Sequence, residues 1–203
     1  MEKKKQENTE LEILNAAKDV FQQKGMAGAR MQEIADKAGI NKALLHYYFR
    51  SKQLLFEAAF KSAFLLLAPQ LNKVLNDDSE LFDKIRNFTK KYSSFVISHP
   101  YLPNFVIQEL NKNPEFIQKL QSEKNFPSID KFKQQVNVAI AQGVIKPIEA
   151  EQLFINIISL NVFPFIGEPL LKGLVNIDQK TYRRLLENRT TEVTDFIINA
   201  IKI

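Results

Sequence analysis

The sequence contains neither cysteine nor tryptophan, and only two of its 203 residues are histidines. The absence of cysteine excludes a disulfide scaffold, a thiolate metal site and a cysteine nucleophile. His46 and His99 lie far apart in the chain, and it contains neither an HExxH pattern nor a glycine-rich phosphate loop. We therefore expect no metal, no cofactor and no enzymatic activity, although a pair of carboxylates in a pocket remains an open alternative.

A long apolar run is also missing. The least polar stretch, residues 153–166, contains Asn156, Ser159, Asn161 and Pro164, whereas a membrane-spanning helix needs roughly 20 mostly apolar residues. The N-terminal segment MEKKKQENTE has basic residues but no apolar region behind them, so it does not resemble a signal peptide. These features predict a soluble, cytoplasmic protein with no membrane partner.

The sequence predicts an all-α fold. Runs of alternating β-branched residues are absent, and apolar residues recur at helical spacing nearly throughout. Thr9 and Glu12 form a capping box that predicts the start of the first helix, and Gly25 predicts its end. Later helices are predicted at residues 81–98, 101–110, 115–124, 127–143, 148–163 and 178–202.

Residues 34–54, IADKAGINKALLHYYFRSKQL, predict a helix, a tight turn at Gly39, a short helix and the start of a longer one. Leu45 faces inward, most of its neighbours from Lys42 to Tyr48 face outward, and Ser51 caps the long helix. The formal net charge of the whole chain is only +5, but residues 37–52 contain four basic side chains and no acidic one. A helical corner with local positive charge suits a DNA groove.

The order IAxxAGI, KALLHYYF and SK, followed by a long helix, resembles the DNA-binding head of TetR/AcrR-type bacterial repressors. The resemblance covers residues 9–60, and beyond them it extends only to length and helical pattern. It implies a helix-turn-helix DNA-binding domain at residues 1–52 and a helical ligand-binding and dimerisation domain at residues 53–203. It also implies a homodimer that binds a near-palindromic operator on double-stranded DNA, and releases it when a small hydrophobic or amphipathic ligand binds.

The resemblance carries two sets of DNA contacts onto this chain. The residues that would read base edges in the major groove are Gln32, Lys42, Ala43, Leu44 and His46. The residues that would contact the DNA backbone are Arg30, Tyr47, Tyr48 and Lys52. Lys42 can donate to guanine or to phosphate, and Lys52 lies at an amide-rich helix N-terminus that favours an anion. Two alternatives stay open, since the tyrosines could pack the head and His46 could be structural.

The chain departs from the usual family pattern at several of these positions. Arg30 and Leu44 stand where a Thr or Ser is common, and His46 stands where a Tyr is frequent. These departures leave the fold unaffected, but they prevent the operator sequence from being inferred from the family.

The family normally places a ligand cavity and a dimer interface in the helices that follow the head. Candidate ligand contacts are Phe88, Tyr92, Phe95, Phe105, Phe132 and Phe154 as an apolar lining, with His99, Glu109 and Asn161 as polar groups. Candidate residues of a four-helix dimer interface are Leu160, Phe163, Leu185, Leu186, Val193 and Phe196. Alternatively, both sets could simply close the core of one protomer.

The leading hypothesis is a dimeric, ligand-responsive transcriptional repressor. A constitutive DNA-binding regulator or activator without a ligand is the alternative within the same class. A helical enzyme or lipid carrier is the alternative from a different class.

Overall fold

The computed structural model describes residues 2–122 and 126–203, with the side chains of residues 2–5 and 67 outside that description. Within these residues the chain forms α-helices and one isolated β-bridge, between Ile145 and Lys202, so the all-α prediction is confirmed. The helices are α1 (Glu2–Gly28), α2 (Met31–Lys37), α3 (Lys42–Tyr48), α4 (Lys52–Leu75), α5 (Leu81–Ser98), α6 (Leu102–Lys112), α7 (Glu115–Gln121), α8 (Asp130–Ala141), α9 (Ala150–Ile166), α10 (Glu168–Val175) and α11 (Gln179–Ile201).

The chain divides into two compact units. The first contains the residues up to Leu66 together with Asn104–Gln121, and the second contains Leu67–Pro103 and the described residues of Ser122–Ile203. The first unit therefore extends beyond residue 52, where the sequence analysis placed the domain boundary. The reason is an aromatic cluster in which Phe56 and Phe60 of α4 pack against Phe105 of α6 and Phe116 of α7, with ring centroids 5.1–6.4 Å apart.

Helix α1 begins at Glu2, so Thr9 lies inside the helix and the prediction that it caps the helix was wrong. The preceding residues are mostly Glu, Lys and Gln, which are good helix formers and extend the helix towards the N-terminus. The backbone leaves the helical conformation at Gly25, with φ 65° and ψ 176°, so the predicted end of the first regular helix is confirmed. Only glycine adopts this conformation without strain.

The second unit contains a helix that the sequence analysis missed. Helix α9 continues through Pro164 to Ile166, and α10 follows it directly. Pro169 lies in the first turn of α10, where a missing N–H costs no hydrogen bond. The predicted helix at 115–124 ends at Gln121, and its predicted last residues, Glu123 and Lys124, lie outside the described residues.

Helix α5 is central to the second unit and packs against α8, α9 and α11. Its Lys84 is almost completely buried, and its ammonium donates to the carbonyl oxygens of Val74, Leu75 and Asp77, at 3.0, 3.3 and 2.8 Å. The same ammonium donates to the Asp77 carboxylate at 2.8 Å. This one side chain therefore satisfies two of the open carbonyls at the end of α4, those of Val74 and Leu75, which have no partner within their own helix.

Helix α4 is long and apolar enough to cross a membrane by length and composition alone. The pair formed by α9 and α10, bent by 80° at its break, meets the same criterion. Residues 153–166, the least polar stretch of the sequence, lie within α9 and include no residue of α4 or α10. Core helices of soluble proteins also meet this criterion.

Candidate nucleic-acid interface

The corner formed by α2 and α3 is fixed from inside by three side chains. Ile34, Ala35 and Leu45 have no exposed surface. Gly39 has a φ of 68°, and the next amide, that of Ile40, donates to the Ala35 carbonyl oxygen at 3.0 Å. A left-handed residue after a helix is a common helix-ending motif, and here it turns the chain from α2 towards α3.

Both helices that flank the second turn carry side-chain caps. The Asn41 carboxamide oxygen accepts from the Leu44 amide at 2.8 Å and caps α3. The Ser51 hydroxyl accepts from the Leu54 amide at 3.1 Å and caps α4, so this prediction is confirmed. The role of Asn41 was missed, although Asn directly before a predicted helix is itself an N-cap signal.

The outer face of α3 carries a compact set of exposed side chains. Tyr47 is 74% exposed and Leu44 is 37% exposed. Lys42, Ala43 and His46 are exposed as well. Tyr48 is half-buried and meets the Tyr47 ring edge to face, with centroids 5.6 Å apart. Since Leu45 is the one fully buried residue of α3 and Tyr48 is half-buried, the other five residues of the helix are available for contact with another molecule.

Arg30 and Gln32 lie at the start of α2 and are exposed. Arg30 occupies the N-cap position with an extended backbone, and its side chain makes no capping hydrogen bond. The Gln32 amide nitrogen donates to the Asp36 carboxylate on the same helix at 2.7 Å. Its carboxamide oxygen and the Arg30 guanidinium are the groups that this end of α2 can present to a ligand.

Lys52 has a partner that the sequence analysis did not foresee. Its ammonium donates to the carbonyl oxygens of Ala29 at 3.1 Å and Ala27 at 3.4 Å. It thereby holds the start of α4 against the turn between α1 and α2. A lysine ammonium has three donors, so one remains for a phosphate.

The basic residues of the first unit differ in how they are neutralised. Lys37 pairs with Asp19 at 2.9 Å, and Lys24 pairs with Glu33 at 2.6 Å. In the described part of the chain, Lys42 and Arg50 have no ion-pair partner. The positive charge of these two residues therefore lies at the two ends of α3, where it is available to an anion.

The structure does not bring the nine candidate ligand residues together. Phe105 and Glu109 belong to the first unit, whereas the other seven belong to the second. Phe105 packs on Phe56 and Phe60, and Glu109 is buried and accepts from the Lys112 ammonium at 3.3 Å.

Most candidates in the second unit are tightly packed. Phe88 stacks on Tyr92 at 6.1 Å and meets Phe154 edge to face at 6.2 Å, and Phe154 in turn meets Phe132 at 6.0 Å. Burial raises the pKa of Tyr92.

The polar candidates in the second unit also have partners of their own. The buried Asn161 amide nitrogen donates to the Ile157 carbonyl oxygen at 2.8 Å and to the Thr89 hydroxyl at 3.3 Å. His99 is exposed and stacks on Phe95, with centroids 4.4 Å apart.

Two cavities in the second unit are lined by described residues. One, of about 440 Å³, lies between α9 and α11, and Leu160 and Phe196 are among its lining residues. The other, of about 340 Å³, lies between the start of α5 and α8. None of the nine candidate ligand residues lines either of these two cavities.

The candidate dimer residues fall into two groups. Phe163, Leu185 and Phe196 are 47%, 45% and 65% exposed, and Leu160 and Leu186 are half-buried. Val193 is only 4% exposed and lies in the core of its own unit, contrary to its assignment to an outer face. The reason is that α11 packs against both α5 and α9, and Val193 is buried among these helices together with Ile197.

A buried corner, two capped helices and an outward-facing second helix with positive charge beside it define a helix-turn-helix head. Residues 13–59 match the family model described as bacterial regulatory proteins, tetR family. The head of the chain is therefore a DNA-binding domain of the TetR type, as the sequence motifs implied. The match agrees with the expectation of a transcription regulator rather than an enzyme.

Two curated relatives show how far the similarity extends. The chain is 28% identical over 143 residues to the HTH-type transcriptional regulator RutR of Escherichia coli K12. The aligned region covers 70% of this chain and 66% of RutR. It is 29% identical over 103 residues to IcaR of Staphylococcus aureus strain Newman, covering 51% of this chain and 54% of IcaR. IcaR is described as a negative transcriptional regulator of the biofilm operon icaADBC. The chain thus matches slightly less than two thirds of RutR and about half of IcaR.

A solved structure extends the likeness of the fold over almost the whole chain. A putative fatty acid metabolism regulator of Clostridium perfringens superposes with a TM-score of 0.68 at 20% identity. It covers 95% of this chain and 99% of its own. The likeness of the fold therefore includes both units of the chain.

Proposed function

We propose that the protein is a dimeric DNA-binding transcriptional regulator that acts as a repressor. The observation that carries the proposal is the outer face of α3, where Lys42, Ala43, His46 and Tyr47 are exposed on a helix whose one fully buried residue is Leu45. In helix-turn-helix proteins the second helix enters the major groove, so Lys42, Ala43 and His46 would meet base edges, while Tyr47 would contact the DNA backbone beside them. Because bacterial DNA is in the cytoplasm, the proposed function implies a cytoplasmic protein.

The remaining contacts of the head would position it on the DNA backbone. The hydroxyl of Tyr47, the guanidinium of Arg30 and the third donor of Lys52 would reach phosphates, which fix register without reading sequence. Arg50 is added to this set because it is exposed and has no ion-pair partner among the described residues. These cations make the affinity depend on salt, by roughly 0.9 log unit per neutralised phosphate for each log unit of salt.

Two copies of the chain would associate through α9 and α11. Phe163, Leu185 and Phe196 are large apolar side chains that stay exposed in the single chain, and contiguous exposed apolar surface marks an interaction site. A two-fold dimer would present two heads to DNA, so its operator would consist of two inverted half-sites. IcaR supports a repressing role because it is described as a negative regulator.

Selection of bound DNA from a random pool tests the proposal. We expect a single enriched sequence with inverted half-sites whose centres lie a whole number of helical turns apart, each turn being roughly 10–10.5 base pairs. Sedimentation of the free protein should show a dimer. Enrichment of no sequence would contradict the proposed function, and enrichment of a single, unrepeated half-site would contradict the dimer.

The ligand that releases the DNA would be hydrophobic or amphipathic. Supporting this class, the second unit combines apolar helices with a 440 Å³ cavity whose lining is mostly apolar. Such a ligand would have to bind the free dimer more tightly than the DNA complex, because a ligand shifts an equilibrium only by its differential affinity.

A further inference from the structure

The cavity between α9 and α11 has the construction of a ligand site. Its floor is formed by Leu153, Ile197 and Ile201, which are buried, and its rim carries the exposed Asn156, Ser159 and Phe196. Its volume of about 440 Å³ lies in the range of small-molecule sites, roughly 300–1,000 Å³. An apolar floor with a few polar groups at one side is the usual composition of such sites.

The polar groups at the rim restrict the kind of ligand. Asn156 and Ser159 are separated by about one helical turn on α9 and therefore lie on the same face of the helix. The Asn156 carboxamide oxygen already accepts from Gln152 at 3.2 Å, which leaves its amide hydrogens and the Ser159 hydroxyl for a ligand. No charged residue is among the described residues that line the cavity. An ion would lose its hydration there without gaining a counter-charge, so the lining favours an uncharged amphipathic molecule.

The cavity is open on the side where Phe196 is exposed, so a single chain does not enclose a ligand. Leu160 and Phe196, which line the cavity, are also residues of the proposed dimer face. We infer that the second copy of the chain closes this cavity, and that the closed site binds an uncharged, mostly apolar molecule with a hydrogen-bond-accepting head. This inference rests on the proposed dimer. It assigns the effector site to the cavity between α9 and α11 instead of to the aromatic residues in the core of the second unit.

The packing of that core supports the choice. Phe88, Tyr92 and Phe132 are nearly completely buried and contact other aromatic rings, so a ligand among them would have to displace well-packed side chains. A ligand between α9 and α11 would displace no buried side chain. It would also change how the two copies meet, and thereby the spacing of the two heads.

Hydrogen exchange of the full-length protein with and without the uncharged fluorescent probe N-phenyl-1-naphthylamine tests the location. We expect slower exchange, by at least threefold, in peptides from residues 150–160 and 194–201. Peptides from residues 84–98 and 130–141 should be unchanged. Protection of the latter pair, or protection of neither pair, would overturn the inference.

Two variants test the same site by titration of the probe's fluorescence. Ala200→Phe would fill the cavity and should weaken binding at least tenfold. Ala141→Phe, on an exposed position at the end of α8, is the matched control and should leave binding unchanged. Equal binding by both variants would contradict the inference.

Competition by ten-carbon compounds tests the chemical class. Decanol should displace the probe at a concentration at least fivefold lower than decanoate or decylamine, and equal displacement by all three would overturn the uncharged class. Sedimentation of the unmodified protein distinguishes a failure of the proposed dimer from a failure of the proposed ligand site. A monomer would contradict the proposed dimer, whereas a dimer that binds no probe would contradict only the cavity as a ligand site.

Discussion

The ammonium of Lys52 donates to the carbonyl oxygen of Ala29 at 3.1 Å, and this bond ties the first residue of α4 to the turn before α2. The two residues are 23 positions apart in the sequence. Lys52 therefore stabilises the head in addition to offering a donor to DNA. The two contributions can be separated because only one of them needs DNA.

Lys52→Ala removes the hydrogen bonds to Ala29 and Ala27 and is expected to lower the free energy of unfolding by about 1–2 kcal/mol. It should also weaken DNA binding and reduce its salt dependence by one phosphate contact. Urea unfolding and DNA binding at several salt concentrations measure the two effects. Gln53→Ala, at the exposed neighbouring position, is the control. An unchanged salt dependence would show that Lys52 acts only within the head.

Leu45 is the buried anchor of α3, so Leu45→Ala should lower the free energy of unfolding by about 2–5 kcal/mol. Leu44→Ala, one residue earlier on the exposed face, should cost much less stability because its side chain is already partly in water. Urea unfolding of the two variants measures the difference. Similar losses would mean that α3 is not held mainly by Leu45.

Asp77 gives the second unit a pH dependence. Desolvation raises the pKa of Asp77, but hydrogen bonds from Lys84 and Ser79 outweigh it and lower the pKa to about 2. A carboxyl group with a depressed pKa stabilises the fold above its unfolded pKa of about 3.9. That contribution should be lost as the pH falls from about 4 to about 2.

Asp77→Asn tests this dependence. The variant should be less stable at neutral pH and should lose less stability than the unmodified protein on acidification. Asp83→Asn, which removes an exposed carboxylate paired with Arg86, is the control. Unfolding by urea at pH values between 2 and 7 provides the comparison, and parallel curves for Asp77→Asn and the unmodified protein would contradict the assignment.

Phe196→Glu should convert the proposed dimer into a monomer because it places a charge in an apolar interface. Ile97→Glu, on a similarly exposed apolar residue of α5, should leave the dimer intact. Sedimentation velocity distinguishes the two outcomes. A dimeric Phe196→Glu variant would exclude Phe196 from the centre of the interface.

The local features of the head could be predicted because each depends on adjacent residues. Gly39 was recognised as the turn, Ser51 as a cap and Leu45 as the buried residue, and all three have the predicted roles. Helix α10 was missed because Pro164, Gly167 and Pro169 were interpreted as breaks. A proline ends a helix only where its missing N–H or its ring conflicts with a preceding turn, and Pro169 meets neither condition.

Long-range relationships could not be predicted from residue spacing. The contacts of Phe105 with Phe56 and Phe60 assign it to the first unit. In the sequence alone, an aromatic residue in a predicted helix is equally consistent with a cavity lining. Val193 is buried rather than exposed because helical periodicity does not indicate which neighbour covers a face. The DNA contacts themselves stay predictions, since exposure of a side chain shows that it is available and not what it binds.

The most direct test of the central claim is the DNA affinity of the Lys42→Ala, Tyr47→Ala double variant. Both side chains are exposed, so the fold should be unaffected, while operator affinity should fall at least tenfold. The control is Lys73→Ala combined with Tyr101→Ala, which removes the same two residue types at exposed positions outside the head. A tenfold or greater loss confined to the Lys42, Tyr47 variant is the predicted result. An affinity equal to that of the unmodified protein would contradict the placement of DNA on the outer face of α3.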